Sequence, residues 1–527
     1  MAESAFRRLT RAARARLDGY RHAVRAAVLN TVPGHGEGFT SPRVQWREVA
    51  DWMPADVAAD NFRRVADALD AARVDWWVVS GLVSGRHVVG VSESSRTGVL
   101  QALAHHDSCA ACYIRDPRRP SLWVRAARVA TASELTTAPV LEVGIPTRCH
   151  GLAYGLDQST EVEFWSVGAD GVRAPRENRA AKELTAAEMK LVTIEVAGRQ
   201  AMTPEVFTRR MIDDITFDID VVYTWVDDND PAWQGARAKA RAEQDLDFHP
   251  GANAEERFHS RDELLFSLRS IAMYAPWVRR IFIVTSGQVP SWLASEHPRL
   301  EVVPHSAIYD DPSQLPTFNS NSIISRLHHI PGLSEHYLYF NDDVFLGRPV
   351  EPADFFTPSG LAKVFPSHNR RPFGVPSPQV RTHINLTQNI RTLLEEDLGV
   401  TVSRAIWHTP HPQLRSVHEE LEQRFAAAYA TTWGHRFRHH TDIVADQLHH
   451  YYAQATARGV RGEFSYAYIG LEDDRNIAAM KRLERSRDRH AFCLNDAPAV
   501  DTIPISDKYV HQWLASYFPI PSEFEKQ

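Results

Sequence analysis

The sequence predicts an α/β protein whose main domain is built on a mainly parallel, helix-covered β-sheet. The run Phe217–Trp233 begins with apolar, β-branched residues, which predict a buried strand over 219–226, and continues with turn-forming residues at 227–231. From there to about residue 366, strand-like and helix-like segments alternate. This order is typical of βαβ units, which form parallel sheets covered by helices.

The elements of this domain are predicted in chain order from their apolar patterns. Further strands are expected at 280–286, 300–304, 337–340 and 362–365, and helices at 261–274 and 321–330. Residues 367–390 are expected to form a loop, and 410–490 to be mainly helical. Open α/β sheets bind nucleotides at the carboxyl ends of their strands. The polar residues that follow the strand at 219–226 therefore predict a ligand site.

Length and composition limit the classes of protein. The 527 residues exceed what one hydrophobic core supports, so two or three domains are expected. With 43% hydrophobic and 24% charged residues the chain is typical of a globular protein, and its net charge of −7 gives no reason to expect a nucleic-acid partner. Neither a run of about 18 apolar residues nor a secretory signal pattern is found, which predicts work on the cytoplasmic side of a membrane.

The first 200 residues are predicted to be additions to the catalytic domain. Residues 1–57 are expected to form a basic amphipathic helix and a Gly/Pro-rich linker. The helix either contacts the inner face of the cell membrane or packs on its own protein, and its thin, alanine-rich apolar face favours the second interpretation. Residues 58–200 are expected to be an accessory α/β module ending in a connecting helix at 182–200, with a role in sugar or nucleotide handling, structure or acceptor recognition.

The accessory module contains a cysteine pair with metal-ligand or redox spacing, Cys109 and Cys112. A zinc site would need two more ligands, and the nearest candidates, Cys149 and His150, are irregularly spaced. Buried thiols in a reducing compartment are therefore the favoured interpretation.

A second group of carboxylates, Asn341-Asp342-Asp343, follows the strand predicted at 337–340. Because side chains alternate along a strand, Asn341 and Asp343 are expected on one face and Asp342 on the other. Such a pair of oxygen ligands suits Mg²⁺, which binds one or two carboxylates together with substrate phosphates. An ordinary turn after a strand explains the same residues equally well.

Two histidines bracket a proline in His408-Thr-Pro-His411. Thr409 is a suitable helix cap and Pro410 a suitable first helical residue, which predicts that His411 lies in the first turn of a helix. The positive end of that helix would favour a neutral imidazole, the form that a general base needs, and would attract phosphate. The alternative is a polar loop histidine.

Two later segments carry further polar residues. Arg438 offers a planar group suited to phosphate, and Asp442 could orient it or an imidazole such as His439. The alternative is the solvated start of a basic helix. Cys493-Leu-Asn495-Asp496 follows a charged helix and by itself would be a turn.

Four separated segments together resemble the four regions of the Stealth family. This family includes bacterial capsular-polysaccharide hexose-1-phosphate transferases and the catalytic subunit of the lysosomal-enzyme N-acetylglucosamine-1-phosphotransferase. The segments that carry the resemblance are 219–227; 257–293 with 315–320 and 339–345; 408–411 with 438–442; and 493–496. The resemblance covers residues 217–500 as a catalytic domain and leaves 501–527 as a C-terminal tail. It implies a sheet of the nucleotide-sugar-transferase type with a helical C-terminal part.

The resemblance also implies an activity: transfer of a sugar 1-phosphate from a nucleotide-diphosphate sugar, such as UDP-GlcNAc, to a glycan hydroxyl in cell-surface polysaccharide synthesis. Nucleotide monophosphate is released. The implied cofactor is Mg²⁺ or Mn²⁺, bound by Asp343 with Asp342, Asn495 and Asp496. The implied base is His411, with His408 as second choice.

The remaining expected contacts are with the two substrates. Arg438 is assigned to the diphosphate. The further candidates are Thr224, Trp225 and Asp227 for the nucleotide, Arg257 and Arg269 for the diphosphate, Asn319 and Ser320 for a sugar, and His439 and Asp442 for either substrate. Ile324 stands where family members often have Glu, which predicts a different acceptor or a lost contact. The alternatives to this activity are a metal-dependent glycosyltransferase that releases nucleotide diphosphate and a non-catalytic sugar-nucleotide-binding protein.

Overall fold

The computed structural model describes residues 44–82, 85–243, 258–496 and 502–526, so the helix predicted over 1–30 and the candidate Arg257 lie outside the described residues. The chain divides into two compact units. The N-terminal unit comprises Met1–Arg210 and Leu483–Asp488, and the C-terminal unit comprises Met211–Arg482 and Arg489–Gln527. None of the described helices is both long enough and apolar enough to cross a membrane.

The N-terminal unit is a mixed sheet with helices packed on it. Its strands and helices are β1 (Arg47–Val49), α1 (Pro54–Ala71), β2 (Trp76–Val79), β3 (Val88–Ser92), α2 (Arg96–His105), β4 (Tyr113–Arg115), β5 (Val124–Arg125), α3 (Ser133–Thr136), β6 (Val140–Gly144), β7 (Thr147–Cys149), β8 (Leu152–Gly155), β9 (Thr160–Val167), β10 (Gly171–Arg173), β11 (Glu183–Thr185), β12 (Leu191–Val196) and β13 (Arg199–Pro204). The main sheet has the order β11-β10-β9-β6-β4-β5, and β3 joins it beside β9. Phe62, Val65 and Leu69 recur at helical spacing on α1 and are completely buried in the core against this sheet.

Part of the expected linker before residue 57 is in fact ordered. Strand β1 pairs in parallel with β7, and α1 begins at Pro54, inside the segment expected to be a linker. A proline is well suited to the first turn of a helix because the N–H that it lacks would have no intrahelical partner there.

The prediction of a helix at 182–200 is wrong, because these residues form strands. Leu191–Val196 and Arg199–Pro204 pair as an antiparallel hairpin. The two residues between them, Ala197 and Gly198, both have positive φ, the geometry of a tight two-residue hairpin turn. The β-branched residues of β12 support the strand, and this turn signal outweighs the helix-like spacing.

Cys109 and Cys112 are free, completely buried thiols in the core of the N-terminal unit. Cys109 Sγ lies 3.6 Å from the carbonyl oxygen of Arg64. Within the described ranges, neither cysteine belongs to a group of three metal-binding side chains.

The C-terminal unit contains the strands predicted around residue 219. From Met211 onwards the elements are β14 (Ile219–Thr224), α4 (Pro231–Ala242), α5 (Glu263–Tyr274), β15 (Ile281–Thr285), β16 (Leu300–Pro304), α6 (Ser320–Ile324), β17 (His336–Asn341), β18 (Val344–Leu346), α7 (Pro352–Phe355), β19 (Ala362–Val364), β20 (Pro366–Arg370), α8 (Thr382–Leu398), β21 (Arg404–Ile406), β22 (His411–Leu414), α9 (Arg415–Arg424), α10 (Ala426–Gly434), α11 (Ala445–Ala455), β23 (Gly459–Arg461), β24 (Tyr466–Gly470), α12 (Ile477–Ser486), β25 (Ala491–Asn495) and α13 (Asp507–Tyr517). The α/β class is therefore confirmed.

The central sheet has the order β16-β15-β14-β17-β22. Its first four strands run parallel, and β22 runs antiparallel along the edge of β17. Thr224 pairs with Val284 on one side and with Asn341 on the other, so the carboxyl ends of three neighbouring strands coincide. Val221, Val222 and Tyr223 are completely buried in the middle of this sheet.

Two local predictions in this unit are wrong. Residues 411–414 form the edge strand β22 and not the start of a helix. Pro412 is compatible with an edge strand, since one side of such a strand needs no backbone N–H donor. Residues 367–390 are not simply a loop either, because they contain most of β20 and the beginning of α8.

The segment assigned as a C-terminal tail is part of the catalytic unit. It contains α13, and the Phe518 that follows this helix is completely buried. The Phe518 ring stacks at 5.9 Å from the ring of Phe345 on β18 and at 6.1 Å from the ring of Phe492 on β25. This aromatic stack joins the end of the chain to the two strands that border the carboxylate turn at 342–343.

We expect Phe518→Ala to destabilise the catalytic unit by about 3–5 kcal/mol, the usual cost of removing a buried phenyl ring. The measurement is denaturant unfolding followed by a probe of the C-terminal unit. The matched control is Ile503→Ala in the same segment, since Ile503 is 69% exposed and its truncation should have little effect. Equal stability of the two variants would contradict the packing described for this segment.

Candidate active site

A chain of hydrogen bonds crosses the carboxyl edge of the central sheet. Thr224 Oγ1 lies 3.0 Å from the Tyr339 hydroxyl, which donates to Asn341 Oδ1 at 2.6 Å. His408 Nε2 lies 3.2 Å from Asp343 Oδ1 and 2.9 Å from Asn341 Nδ2, so a protonated Nε2 donates to the carboxylate and stands beside the amide of Asn341. Because Thr224 and Asn341 are paired residues of β14 and β17, the register of these two strands brings the groups together.

Tyr339, Asn341 and Asp343 are spaced two residues apart, which is the spacing that puts side chains on the same face of a strand. Sequence reasoning found Asn341 and Asp343 in this way but missed Tyr339, although it falls in the same alternation. Burial raises the pKa of Tyr339 well above its ordinary range, so its hydroxyl stays protonated and can donate to Asn341.

Asp342 has a different environment from Asp343. Burial, followed by the charges of Glu263 and Asp343, raises the pKa of Asp342 well above its ordinary range. The raised pKa favours the protonated form of its carboxyl group. In contrast, the side chain of Asp343 is 23% exposed and lies against His408.

His408 is partly exposed at this edge, with 35% of its side-chain surface accessible. Burial acts to lower its pKa, but the charge of Asp343 and the hydrogen bond to it, with smaller contributions from Asp446 and Asp342, raise the pKa above its ordinary value. The carboxylate of Asp343 therefore makes His408 a stronger proton acceptor, because it stabilises the imidazolium that forms when the ring takes up a proton.

His411 occupies a different environment from the one the sequence predicts. It lies at the start of β22 and is only 4% exposed. Its Nδ1 is 2.6 Å from Asp446 Oδ2, and its Nε2 donates to the carbonyl oxygen of Trp407 at 2.8 Å. Since a carbonyl can only accept, Nε2 carries a proton, and both ring nitrogens are engaged within the protein.

Arg438 and Ser320 lie together. Arg438 Nε donates to Ser320 Oγ at 3.0 Å, and Nη2 of the same guanidinium also contacts this oxygen. The charge of Arg438 also acts on the buried hydroxyl of Tyr339, so this guanidinium lies near the hydrogen-bond chain. The structure thus brings together two of the predicted substrate-binding residues beside the sheet edge.

Asp442 and Asn319 connect the two loops that carry Arg438 and Ser320. Asp442 is completely buried, where Oδ2 accepts from Asn319 Nδ2 at 2.8 Å and Oδ1 lies 2.8 Å from His435 Nδ1. Asp442 Oδ2 also accepts from the backbone N–H of His439 at 2.9 Å. Asp442 and Asn319 are both completely buried and join the two loops, which favours a structural role over the predicted contact with substrate.

The imidazole of His439 remains at the surface, with its Nδ1 2.7 Å from Thr441 Oγ1. Ile324, at the other end of the short helix α6, is 7% exposed and faces the core. This burial favours a packing role for the side chain at position 324.

Asp496 and Asn495 stand at the end of β25. Arg261 Nη2 lies 2.7 Å from Asp496 Oδ2, and the same guanidinium binds Asp507 at 2.6 Å through Nε. Asn495 Nδ2 donates to the carbonyl oxygen of Asp496 at 3.2 Å. Sequence reasoning missed Arg261, because the Asp507 that helps to hold it lies in the segment taken for a tail.

The predicted role of Arg269 as a diphosphate contact is also affected by the C-terminal segment. Its guanidinium forms two hydrogen bonds to Glu525, at 2.9 and 2.7 Å, and a third to the carbonyl oxygen of Phe518 at 2.9 Å. Arg269 thus anchors the end of the chain, and these contacts favour a structural role over the predicted contact with diphosphate.

The loop after β14 holds the expected nucleotide contacts. The backbone N–H of Trp225 donates to the Val284 carbonyl at 3.0 Å and extends the pairing by one residue. The backbone N–H of Asp227 donates to Gln288 Oε1 at 3.0 Å, while Asp227 Oδ1 accepts from the N–H of Asn229 at 2.9 Å. Gln288, another residue that sequence reasoning missed, therefore fixes the position of this loop.

Two groups of side chains in the described part of the chain bring three metal-binding atoms close together: Asp343, His408 and Cys493, and separately His328, His329 and Glu422. In the second group Glu422 Oε2 lies 2.7 and 2.8 Å from the two imidazoles. Arg326 Nη1 is already 3.4 Å from Glu422 Oε1 and 3.3 Å from His329 Nε2. This neighbouring cation makes the second group a salt-bridge cluster.

Comparison with family models identifies the class of protein to which this site belongs. Residues 217–245, 257–364, 407–455 and 481–527 match the Stealth protein conserved regions 1, 2, 3 and 4. The four regions occur in order and contain every residue of the hydrogen-bond chain. The protein belongs to the Stealth family.

Relatives match most of the chain. An exopolysaccharide phosphotransferase of Streptomyces coelicolor is 38% identical over 525 residues, which span 95% of this chain and 86% of the relative. An exopolysaccharide phosphotransferase of Nocardia farcinica is 35% identical over 488 residues, or 89% of this chain and 95% of the relative. The exopolysaccharide phosphotransferase CpsY of Mycobacterium tuberculosis is 37% identical over 381 residues, or 71% of each chain.

Proposed function

We propose that this protein is a phosphotransferase of polysaccharide synthesis that moves a sugar 1-phosphate from a nucleotide-diphosphate sugar to a glycan hydroxyl. The observation that carries the proposal is the Asp343–His408 pair at the carboxyl edge of the parallel sheet. The names of relatives that match over most of the chain support the same reaction class.

The proposed reaction is a displacement at the phosphorus atom next to the sugar. The acceptor oxygen forms a bond to this phosphorus, its proton passes to a base, and the bond from phosphorus to the nucleotide monophosphate breaks. Such transfer needs an aligned acceptor, neutralisation of the phosphate charge and a proton acceptor.

His408 is the proposed base, in place of His411. Its ring is partly exposed at the sheet edge, and Nε2 lies 3.2 Å from Asp343 Oδ1 and 2.9 Å from Asn341 Nδ2, so the side chains around it hold the ring in one orientation. His411 is buried with both nitrogens hydrogen-bonded and has none to offer an acceptor hydroxyl.

A divalent cation remains part of the proposal. Asp343 has a partly exposed carboxylate, and Asn495 adds an amide oxygen at the end of the strand that borders it, so these residues fit an ion that prefers oxygen ligands, such as Mg²⁺ or Mn²⁺. The raised pKa of Asp342 favours its protonated form, and Asp496 forms a salt bridge with Arg261. When bound, the cation would offset the negative charge of the diphosphate.

Arg438 is the proposed diphosphate contact of the protein itself. Ser320 Oγ accepts from one edge of its guanidinium, which fixes the plane of the group. A planar guanidinium held in this way suits the phosphate oxygens. Thr224, Trp225 and Asp227 stay the candidates for the nucleotide, and His439 for either substrate.

The cellular location of the protein and the role of its N-terminal unit stay predictions from sequence. The basic segment over 1–30 lies outside the described residues, and its contact with the inner face of a membrane is proposed from its pattern of arginines alone. The role of residues 58–200 stays open between the alternatives given above.

Product analysis tests the proposed reaction. The protein is incubated with nucleotide-diphosphate sugars, beginning with UDP-GlcNAc, and an oligosaccharide acceptor, with Mg²⁺, Mn²⁺ or a chelator. We expect nucleotide monophosphate and a phosphate-linked sugar on the acceptor, with loss of turnover in the chelator. Release of nucleotide diphosphate would instead identify a glycosyltransferase. Donor binding without turnover on any acceptor would favour a binding protein.

Two glutamine variants test the choice of base. We expect His408→Gln to lower kcat by about 100- to 10,000-fold, the usual contribution of a general base, with an unchanged melting temperature. His411→Gln should lower the melting temperature, because Asp446 loses its partner in a buried environment. His105→Gln, at an exposed position of the N-terminal unit, is the control. Near-normal kcat in His408→Gln would contradict the assignment.

A further inference from the structure

Cys493 lies directly against the carboxylate proposed to act in catalysis. Its Sγ is 3.3 Å from Asp343 Oδ2, and its side chain is completely buried. The backbone fixes this approach, since Val344 pairs with Cys493 across β18 and β25, and the N–H of Leu494 donates to the Asp343 carbonyl at 3.0 Å.

The two oxygens of Asp343 have different partners. Oδ1 faces His408 Nε2 at 3.2 Å, and Oδ2 faces the thiol on the opposite side. An ionised carboxylate can only accept hydrogen bonds, so the contact requires the S–H group to donate.

A donor on one side and an imidazole on the other fix the plane of a carboxylate. Without the thiol, Oδ2 would lose this donor, and the Asp343 side chain would be less restrained against rotating away from His408. A methyl group of similar size would fill the same space without supplying a hydrogen bond. The thiol therefore does more at this position than fill space in the core.

We propose that Cys493 is a positioning residue, whose thiol donates to Asp343 Oδ2 and holds this carboxylate in the orientation that catalysis requires. The inference rests on the proposed phosphotransfer for its kinetic consequence, whereas the hydrogen bond itself can be measured without turnover. Cys493 touches neither substrate in this account and acts only through Asp343.

The kinetic test compares Cys493→Ala, which removes the donor, with Cys493→Ser, which keeps a donor of similar size. We expect the Ala variant to lower kcat by about 10-fold, in line with a hydrogen bond to a charged group, with the donor KM changed less than about twofold. The Ser variant should recover most of kcat. A role in packing alone would make the two variants equally active, and this result would overturn the proposal.

The direct test is infrared spectroscopy of the S–H stretching band, which needs no activity. The band of Cys493 is identified as the one that Cys493→Ser removes. In Asp343→Ala, with its fold checked by circular dichroism, we expect this band to move to higher frequency because the acceptor is lost. An unchanged band would overturn the proposal. If the wild-type protein releases no monophosphate, the proposed function fails, but this measurement still decides whether the thiol donates.

The ligand atoms of Asp343, His408 and Cys493 lie within 4.8 Å of one another, so Cys493 could be a metal ligand instead of a hydrogen-bond donor. Cadmium binding distinguishes these two roles. Wild type and Cys493→Ser are titrated with Cd²⁺ alone and followed by the ultraviolet absorbance of thiolate-to-metal charge transfer. We expect the same absorbance in both proteins, from the other three cysteines at most. A band at one equivalent that Cys493→Ser removes would identify Cys493 as a thiolate ligand and contradict its role as a donor.

Discussion

The parallel pairing of β14 with β17 is the interaction on which the candidate site depends. The pairing sets Thr224 beside Asn341, and from this point the hydrogen bonds run through Tyr339 and His408 to Asp343. A shift of one residue in β17 would turn Tyr339 and Asn341 to the other face of the sheet. The completely buried residues of β14 specify this register, because such a shift would also misplace the apolar side chains of the core.

Buried charged groups hold the loops around this edge. Asp442 joins the loop of Asn319 to the turn before Arg438, and Arg261 joins the end of β25 to the C-terminal segment. Each of these groups is satisfied by several hydrogen bonds, which is the condition under which a buried charge supports a defined geometry. The residues proposed to meet substrate are thus positioned by others that do not touch it.

Local sequence patterns were sufficient where one segment determines the outcome. The strand at 219, the parallel order that follows it and the shared face of Asn341 and Asp343 all come from apolar runs and alternation. His411 was misassigned because Thr-Pro suits both a helix start and an edge strand, and only pairing with β17 decides between them. The contact between Asp343 and Cys493 joins residues 150 positions apart, and no local pattern contains it.

Arg261 and Arg269 illustrate the same limit. Both stand in one matched region, and their chemistry is identical, yet their partners Asp507 and Glu525 come from the last residues of the chain. Once these residues are assigned to a tail, neither arginine has a partner that the sequence can suggest. The hydrophobic packing of Phe518 explains why this segment folds onto the unit and brings the partners into place.

The stereochemical course at phosphorus tests most directly the claim that His408 acts as a base and not as a nucleophile. A nucleotide-diphosphate sugar with sulfur replacing one oxygen on the phosphorus next to the sugar makes this atom chiral. The account predicts inversion of configuration in the product, because the acceptor hydroxyl displaces the nucleotide monophosphate in a single in-line step. Retention would mean two displacements through a phosphorylated side chain and would contradict the account.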